Sequence, residues 1–348
     1  MKFTKFGSTG LTVSRMCIGT GTFGKQTNEG ESHRILDKAA EKGINFIDTA
    51  DMYPAGADAS GVGSSEVITG RWLKDKRDRF ILATKAGGRM GPAAWDQGSS
   101  RKHLMDAIDA SLRRLDTDYV DLYQLHRDDP ATPIDETVEA MDSIVRSGKA
   151  RYIGVSNFYA YRLAKALGRQ DTLRLMRFAS VQPRYNLLFR EIERELLPLA
   201  QEDGLAVIAF NPLAGGLLSG RYKHSDKPDK GRFSAEVGQF GTMYQARYWH
   251  EREFETVEKI SEVAKQERTT PATLSVAWIL SNPTITSVIL GASQADQLTA
   301  TLDAADYTLE SAVKEKLDEL SIEFRRGMRP GKCLLSGCPC PHHGVFCI

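Results

Sequence analysis

Four polar side chains of types that transfer or hold protons stand where apolar runs of the chain end. Asp48 and Tyr53 follow one such run, Lys85 ends the next, and His126 ends the run after that. If these runs are parallel strands of a barrel, the residues at their C-terminal ends converge on one mouth. The spacing therefore predicts that Asp48, Tyr53, Lys85 and His126 form one site.

This combination suits the reduction of a carbonyl group. The reaction needs a hydride donor and an acid for the developing alkoxide. A free tyrosine has a pKa of about 10, and a buried lysine beside it favours the phenolate and lowers that pKa. We expect Tyr53 to be the acid, with Lys85 and Asp48 adjusting its pKa and His126 holding the carbonyl oxygen.

Each residue alone also has a structural interpretation. A lysine at a strand end is usually solvated, Asp48 could cap the following loop, Tyr53 could be a half-buried core aromatic, and His126 could be a core histidine with satisfied hydrogen bonds. The occurrence of all four in chain order at successive strand ends favours the catalytic interpretation.

The elements that must position these residues form a regular alternation. A hairpin with its turn at residues 7–10 comes first, and about eight β/α steps follow. The predicted strands are 16–20, 44–47, 80–84, 119–125, 152–155, 178–182, 205–210 and 286–290. The predicted helices are 31–42, 64–73, 101–115, 134–146, one containing 163–167, 192–201, 271–280, 294–304 and 311–320. The pattern predicts a (β/α)8 TIM barrel; an open doubly wound sheet is the alternative, but no early GxGxxG follows a first strand.

Residues 211–250 interrupt the alternation after the seventh barrel strand. The segment is rich in glycine and aromatic residues and shows no clear period. A loop of this length in a compact domain is usually functional. We expect it to line the substrate pocket together with Met52 and residues 90–95.

Composition limits the classes of function. The chain has 348 residues, 41% of them apolar and 26% charged, with a formal net charge of +1. Neither a basic tract nor an apolar run of about 20 residues is present, so we expect no nucleic-acid or membrane partner. The N-terminus has no apolar signal-peptide core, which predicts a cytoplasmic protein.

The last part of the chain differs from the rest. Residues 1–326 are predicted to form the barrel, and residues 327–348 a separate tail. Its metal-binding residue types are Cys333, Cys338, Cys340, His342, His343 and Cys347. Zinc binding is the alternative, but the spacing matches no standard finger. We expect a disordered or artificially appended tail without a metal site.

Several segments together resemble the aldo-keto reductase family. They run in family order from residue 1 to about 325 and are GINFIDTADMY, FILATK, VDLYQLH, GKARYIGVSNF, VQPRYNLL, FNPLAGGLLSGRY and VILGASQADQL. The resemblance implies a (β/α)8 barrel, NADPH as the usual cofactor, a small carbonyl or alcohol substrate, and Asp48, Tyr53, Lys85 and His126 as the catalytic residues. It is closest to the bacterial and potassium-channel-β-subunit branches.

The resemblance leaves more than one function open. The chain is expected to be a working NADP-dependent reductase, and a homo-oligomer is possible. The alternative is a regulatory binding protein, like a channel β-subunit, that uses bound NADPH as a redox sensor. A barrel that has lost catalysis is a third interpretation, and the intact set of four residues argues against it.

The resemblance also implies cofactor contacts. Ser156, Asn157 and Gln182 match the residues that bind the nicotinamide carboxamide, and Phe210 matches the aromatic that stacks on the ring. The other implied contacts are Thr20, Gly21, Thr22, Asp48, Asn211, Pro212, Leu213, Gly215, Arg221, Gly291, Ser293 and Gln297.

Two segments depart from the family pattern. Asn211 stands where serine is more common, and Ser293 and Gln294 stand where a basic residue often follows Gly-Ala. A 2′-phosphate prefers a charged partner, which Arg221 or Arg232 could supply. NADP is therefore the expected cofactor, with NAD as an alternative.

Overall fold

An antiparallel hairpin opens the chain. The computed structural model describes residues 1–58 and 61–325. Strands β1 (Phe3–Lys5) and β2 (Thr12–Ser14) pair with Phe3 opposite Ser14. Gly7 takes a φ of 58°, and a Cβ atom there would lie 2.4 Å from the Gly204 carbonyl oxygen. The predicted hairpin is thus confirmed, and its turn packs closely against the end of the barrel where the strands begin.

Eight parallel strands close into a barrel in the order β10-β3-β4-β5-β6-β7-β8-β9. They are β3 (Met16–Gly19), β4 (Phe46–Asp48), β5 (Ile81–Ala86), β6 (Val120–Leu125), β7 (Ala150–Ser156), β8 (Ser180–Gln182), β9 (Ala206–Ala209) and β10 (Ile285–Leu290). Closure between β10 and β3 leaves no free sheet edge. The predicted (β/α)8 TIM barrel is confirmed.

Helices surround the strands. They are α1 (Glu29–Glu41), α2 (Ser64–Leu73), α3 (Arg101–Leu115), α4 (Ile134–Arg146), α5 (Ala160–Leu173), α6 (Leu196–Glu202), α7 (Gln239–Tyr248), α8 (Glu251–Gln266), α9 (Pro271–Ser281), α10 (Thr299–Asp303) and α11 (Ser311–Leu320). Side-chain caps fix several of their starts: Asn28 accepts from Glu31 N, Ser100 from His103 N and Thr270 from Thr273 N.

The barrel interior changes from apolar to polar along its axis. At the N-terminal end of the strands, Phe6 from the hairpin joins Cys17, Phe46 and Leu122 in a buried apolar cluster. A second, larger cluster fills the space between the strands and the helices. Because apolar side chains close the lower end, the polar interior residues are confined to the end where the strands finish.

The structure differs from the predicted elements mainly after β9. Residues 211–250 contain helix α7, and helix α8 follows directly, although neither was predicted. The helix predicted at 192–201 is a short 3-10 helix (Glu191–Glu193) followed by α6, and the one predicted at 294–304 is likewise a 3-10 helix (Ala295–Leu298) followed by α10. The cysteine-rich segment 327–348 lies outside the described residues.

Candidate active site

Three strand ends and one loop bring Asp48, Tyr53, Lys85 and His126 together. Asp48 is the last residue of β4, Lys85 lies in β5, and His126 follows β6 directly. Lys85 Nζ donates to an Asp48 carboxylate oxygen and, at 2.8 Å, to the Thr49 carbonyl oxygen. It also lies 3.5 Å from the Tyr53 hydroxyl. The proximity expected from their spacing is therefore present.

Tyr53 and His126 face the open end of this cluster. Their ring centroids are 5.6 Å apart and the rings are nearly perpendicular, at 77°. Both side chains are half-buried, whereas Lys85 and Asp48 are almost completely inaccessible, at 0% and 2% exposure. A small molecule at the mouth can thus reach the phenol and the imidazole but not the ion pair beneath them.

Backbone pairing positions the loop that carries Tyr53. The loop leaves β4 after Asp48, and the Asp51 amide donates to the Lys85 carbonyl oxygen at 3.0 Å. The Tyr53 amide then closes a turn onto Ala50 O at 3.2 Å. These bonds tie the Tyr53 loop to β5, so the phenol and the ammonium are held on the same framework.

The Lys85–Asp48 pair keeps its charges in the interior. Burial by itself lowers the pKa of Lys85, but the charge of Asp48 and the neighbouring Tyr53 outweigh it, so the pKa is raised. Gln124 and Gln182 each donate an amide hydrogen to the second Asp48 oxygen, at 3.1 and 2.8 Å. Further hydrogen bonds of this kind are what a buried ion pair requires to be tolerated.

The pKa of Tyr53 is raised, contrary to the expectation from the sequence. Burial is the largest cause and disfavours the phenolate, while the Lys85 ammonium lowers the pKa and offsets only part of the effect. In the chain by itself Tyr53 is therefore a protonated phenol at neutral pH. That is the form required for donating a proton to a carbonyl oxygen.

His126 is held as a neutral imidazole. Burial, followed by the charges of Lys85 and Arg127, keeps its pKa well below the ordinary value. Its backbone amide donates to Ala86 O, and its carbonyl oxygen accepts from Asn157 Nδ2 at 3.0 Å. A neutral imidazole can donate one hydrogen bond to a substrate oxygen without competing with Tyr53 as the acid.

Gln124 belongs to the site but was not predicted. It is fully buried in β6 and lies opposite Lys85 in the strand pairing. The signal in the sequence is a polar residue inside the apolar run VDLYQL. What the sequence cannot reveal is the contact with Asp48, which is 76 positions away.

Ser156, Asn157 and Gln182 lie together at the neighbouring ends of β7 and β8. Ser156 Oγ donates to the Gln182 carbonyl oxygen at 2.9 Å, and Asn157 Nδ2 lies 3.1 Å from Ser156 Oγ. The side-chain amides of Asn157 and Gln182 donate to His126 O and to Asp48, whereas their side-chain carbonyl oxygens accept no hydrogen bond from residues 1–58 or 61–325. Two acceptors are thus available for an amide group of a ligand.

A turn with several left-handed residues follows β9 and Phe210. Asn211 (φ 60°) accepts from the Gly215 amide at 2.7 Å and donates to the Tyr248 hydroxyl at 3.0 Å. Gly215 has a φ of 73°, and a Cβ atom there would lie 2.6 Å from the Tyr244 ring. Asn211 therefore stabilises the turn with its side chain, and Pro212 and Leu213 lie inside it.

The loop after β3 and the segment after β10 are joined. Thr22 Oγ1 donates to Ala292 O at 2.8 Å, and Thr27 Oγ1 donates to Ser293 O at 3.2 Å. Gln297 Oε1 accepts from the Ser293 amide at 3.0 Å, which closes a turn next to the exposed Gly291. Thr20, by contrast, is completely buried, and its Oγ1 donates to Thr49 Oγ1 at 2.7 Å.

Gln26 is a further candidate for ligand binding that the sequence did not indicate. It precedes Thr27 in the joined loop, and its Nε2 is buried without a hydrogen-bond partner in the described part of the chain. A buried amide donor left unsatisfied costs free energy, so a ligand atom at this position would stabilise it.

Arg221 lies beside the turn after β9. Its Nη2 donates to the Tyr222 hydroxyl at 2.6 Å, and the same atom is 3.2 Å from the point where a Gly216 Cβ would lie. The guanidinium is thus placed next to the left-handed turn.

Among the described residues there is no group of three or more His, Cys, Asp or Glu side chains that could hold a metal ion. Nor does any helix in that part of the chain have the length and apolarity needed to span a membrane.

Comparison with known proteins gives consistent matches. A profile of the Aldo/keto reductase family matches residues 15–322. The oxidoreductase YrpG of Bacillus subtilis, itself uncharacterized, is 37% identical over 328 residues, covering 92% of this chain and 96% of that protein. A probable voltage-gated potassium channel subunit beta of Arabidopsis thaliana is 34% identical, with coverage of 92% and 96%. The L-glyceraldehyde 3-phosphate reductase of Escherichia coli is 34% identical, with 87% of each chain covered.

Proposed function

The chain belongs to the aldo/keto reductase family, and from that premise we propose that it reduces an aldehyde or ketone to an alcohol with NADPH. Bound NADPH supplies the hydride that the carbonyl carbon accepts. Tyr53 donates the proton to the carbonyl oxygen, so that the product is the neutral alcohol. In the reverse direction the phenolate of Tyr53 takes the proton from the alcohol.

The observation that carries the proposal is the buried ammonium beside the phenol. Lys85 Nζ lies 3.5 Å from the Tyr53 hydroxyl and is held in its charged form by Asp48. As the proton leaves Tyr53, the ammonium stabilises the phenolate that forms. His126 donates a hydrogen bond that orients the carbonyl oxygen toward Tyr53.

The residues around the mouth fit a dinucleotide. The free acceptor oxygens of Asn157 and Gln182 suit a nicotinamide carboxamide, which offers two N–H donors. Phe210 would lie against the nicotinamide ring, and the left-handed turn through Gly215 would lie against the pyrophosphate. The buried Nε2 of Gln26 and the turn from Gly291 to Gln297 would contact the adenosine end.

The same arrangement could serve a redox sensor, and the channel subunit relatives make this the second candidate. A sensor would hold its cofactor and turn over slowly. Two features favour an enzyme: Tyr53 and His126 remain accessible at the mouth, and one relative is named for reducing a phosphorylated aldehyde.

Steady-state consumption of NADPH separates the two candidates. We expect the purified protein to oxidise many equivalents of NADPH, followed at 340 nm, with at least some members of a panel of aldehydes and ketones. Oxidation limited to one equivalent per chain across the whole panel would favour the sensor. Parallel assays with NADH would decide the cofactor preference.

A further inference from the structure

A fully buried glutamine links the two parts of the candidate site. Gln124, in β6, is completely inaccessible, and its side chain contacts both Asp48 of the ion pair and Gln182 of the proposed carboxamide site. The three residues lie in β6, β4 and β8, which are alternate strands of the barrel. Alternate strands supply the side chains of one interior layer of such a barrel, so Gln124 lies between Asp48 and Gln182 in a polar layer.

The hydrogen bonds of this layer occupy the amide group of Gln182. Gln182 Nε2 donates to Asp48 Oδ2 at 2.8 Å and to Gln124 Oε1 at 3.3 Å. Gln124 Nε2 donates to the same Asp48 oxygen at 3.1 Å. A side-chain amide nitrogen carries two hydrogens, so both hydrogens of Gln182 are used within the barrel and only its Oε1 is left for a ligand.

The chemistry of these acceptors fixes which way the Gln182 amide faces. A carboxylate only accepts hydrogen bonds, so a reversed amide would place Gln182 Oε1 against the charged oxygen of Asp48. The bond to Asp48 alone would still let the amide pivot about one contact. The second bond, to Gln124, removes this freedom, because two bonds from one planar NH2 group define the plane of the amide.

We propose that Gln124 is a positioning residue for the cofactor: by accepting the second amide hydrogen of Gln182, it directs Gln182 Oε1 toward an N–H of the nicotinamide carboxamide. The inference rests on the proposed function, in which Gln182 binds that group, and it adds the residue that orients Gln182. Gln124 has no accessible surface, so it acts only through its neighbours. Its loss should therefore weaken the recognition of the carboxamide N–H groups in particular.

A cofactor analogue isolates this recognition. In 3-acetylpyridine adenine dinucleotide phosphate a methyl group replaces the carboxamide NH2, while the ring, the carbonyl oxygen and the phosphates are kept. The dissociation constants of NADP⁺ and of the analogue are measured by fluorescence titration without a carbonyl substrate. We expect the wild type to bind NADP⁺ about tenfold more tightly, because the analogue leaves the acceptor oxygens of Asn157 and Gln182 unpaired.

Two substitutions of Gln124 should affect this preference differently. Gln124→Met keeps the length of the side chain and removes both hydrogen bonds, so it should lower the preference for NADP⁺ by about threefold or more. Gln124→Glu should keep most of the preference, because a carboxyl group that shares a proton with Asp48 can both donate and accept.

Gln170→Met is the matched control. Gln170 is also fully buried, but its side chain donates to Met176 O at 2.8 Å and accepts from the Phe178 amide at 3.1 Å, before the start of β8. The substitution removes a buried amide of the same type away from the strand ends. It should leave the preference for NADP⁺ over the analogue at the wild-type value, whatever its effect on stability.

A double-mutant cycle shows whether Gln124 acts through Gln182. Gln182→Met should lower the preference for NADP⁺ at least as much as Gln124→Met does. Adding Gln124→Met to Gln182→Met should then change the preference by less than about twofold, because the residue through which Gln124 acts is already lost. A clear further loss in the double variant would mean that Gln124 acts by another route, and would overturn the proposal.

The outcomes separate this inference from the reductase function. The same preference in the wild type and Gln124→Met would overturn the inference. A wild type that binds both dinucleotides equally tightly would do so too, as would a loss in Gln124→Glu as large as that in Gln124→Met. A protein that shows the expected ratios but reduces no carbonyl compound with NADPH would retain the inference and lose the reductase function. A wild type that binds neither dinucleotide would contradict both.

Discussion

Lys85 carries a full charge in the barrel interior because its neighbours compensate for the lost water. Asp48 supplies the opposite charge, and Gln124 and Gln182 satisfy the second carboxylate oxygen. The same ammonium lies next to Tyr53. The stability of the pair and the acidity of the phenol are therefore linked through one side chain, but they can be separated by mutation.

The separation predicts different outcomes for a single and a double substitution. Lys85→Met leaves the Asp48 carboxylate buried without its counter-charge, which typically costs about 3–5 kcal/mol of unfolding free energy. Asp48→Asn combined with Lys85→Met removes both charges and should recover most of that loss. The rate of carbonyl reduction should fall by about 10²–10⁴-fold in the single variant and should stay equally low in the double variant.

Urea unfolding and NADPH consumption measure the two effects. A double variant that recovers both stability and rate would contradict the role given to Lys85. The control is Lys149→Met, which removes an ammonium whose partner Asp109 is 43% exposed. Because exposed pairs contribute little, it should cost no more than about 1 kcal/mol.

The buried carboxyl group of Asp51 should make the free energy of unfolding depend on pH. Its carboxyl group is fully buried, and neither oxygen has a hydrogen-bond partner within the described residues. Burial, followed by the charge of Glu66, raises its pKa well above the ordinary value. The folded chain therefore binds this proton more tightly than the unfolded chain, and the stabilisation present below about pH 4 is lost as pH rises.

Asp51→Asn removes this titration. The melting temperature of the variant relative to the wild type should rise as pH increases from 4.5 to 8, because only the wild type has a carboxyl group that resists ionisation. Circular dichroism melts at several pH values measure it. If the difference in melting temperature between Asp51→Asn and the wild type stayed constant from pH 4.5 to 8, Asp51 would not titrate as described.

At the scale of elements, the site is built from strand ends and the turns that follow them. The turn after β9 depends on glycine, because Gly215 has a φ of 73° and its missing side chain makes room for Tyr244. The same turn is proposed to lie against the pyrophosphate. Its geometry should therefore matter for both stability and cofactor affinity.

Gly215→Ala tests this turn against a matched control. Gly148 has a similar φ of 77° but nothing within 4 Å of its Cβ position. Gly148→Ala should cost about 1–2 kcal/mol from backbone strain alone and leave NADPH affinity unchanged. Gly215→Ala adds the clash with Tyr244, so we expect a larger loss of stability and at least tenfold weaker NADPH binding.

Denaturant unfolding and fluorescence titration give the two quantities for each variant. If the two substitutions changed the free energy of unfolding and the NADPH dissociation constant by the same amounts, the packing at Gly215 would be unimportant. An effect of Gly148→Ala on cofactor affinity would mean that strain at the opposite end of the barrel is transmitted to the site.

Much of this element pattern could be predicted from the sequence, for a physical reason. Barrel strands are buried on both faces and therefore appear as short apolar runs, and helices such as α3 and α4 show a clear apolar face. Helix α7 could not be predicted because its sequence QFGTMYQARY has no regular apolar spacing. Helix α8 does carry such spacing at Phe254, Val257 and Ile260. This helix could therefore have been predicted from the sequence.

Contacts within the site were only partly predictable. The positions of Asp48, Lys85 and His126 follow from strand ends, which local patterns reveal. The approach of Arg232 to Tyr53 depends on how a long segment without clear periodicity folds back over the mouth. The direction of the Tyr53 pKa shift depends on burial, which the sequence does not quantify.

At the scale of the whole molecule, the proposed cofactor connects distant parts of the chain. It would touch the loops after β3, β7, β8, β9 and β10, which come from both halves of the barrel. A ligand that binds only the folded chain stabilises it, by about 2.7 kcal/mol at a concentration 100 times the dissociation constant. For a protein of this size that corresponds to a melting temperature several degrees higher.

We therefore expect NADPH to raise the melting temperature, and to raise it more than NADH at the same concentration. The 2′-phosphate would add a charged contact with Arg221 or with the turn near Ser293. Differential scanning fluorimetry with both cofactors measures the shifts. Equal shifts would argue against NADP as the preferred cofactor, and no shift with either would argue against a dinucleotide site.

The central claim is that the Tyr53 hydroxyl supplies the proton for carbonyl reduction. Tyr53→Phe removes only that oxygen and leaves the ring that packs against His126. Steady-state reduction by Tyr53→Phe, measured with NADPH and the best substrate of the panel, should fall at least a thousandfold while the NADPH dissociation constant changes less than threefold. A variant that binds NADPH and reduces the substrate at the wild-type rate would contradict the claim.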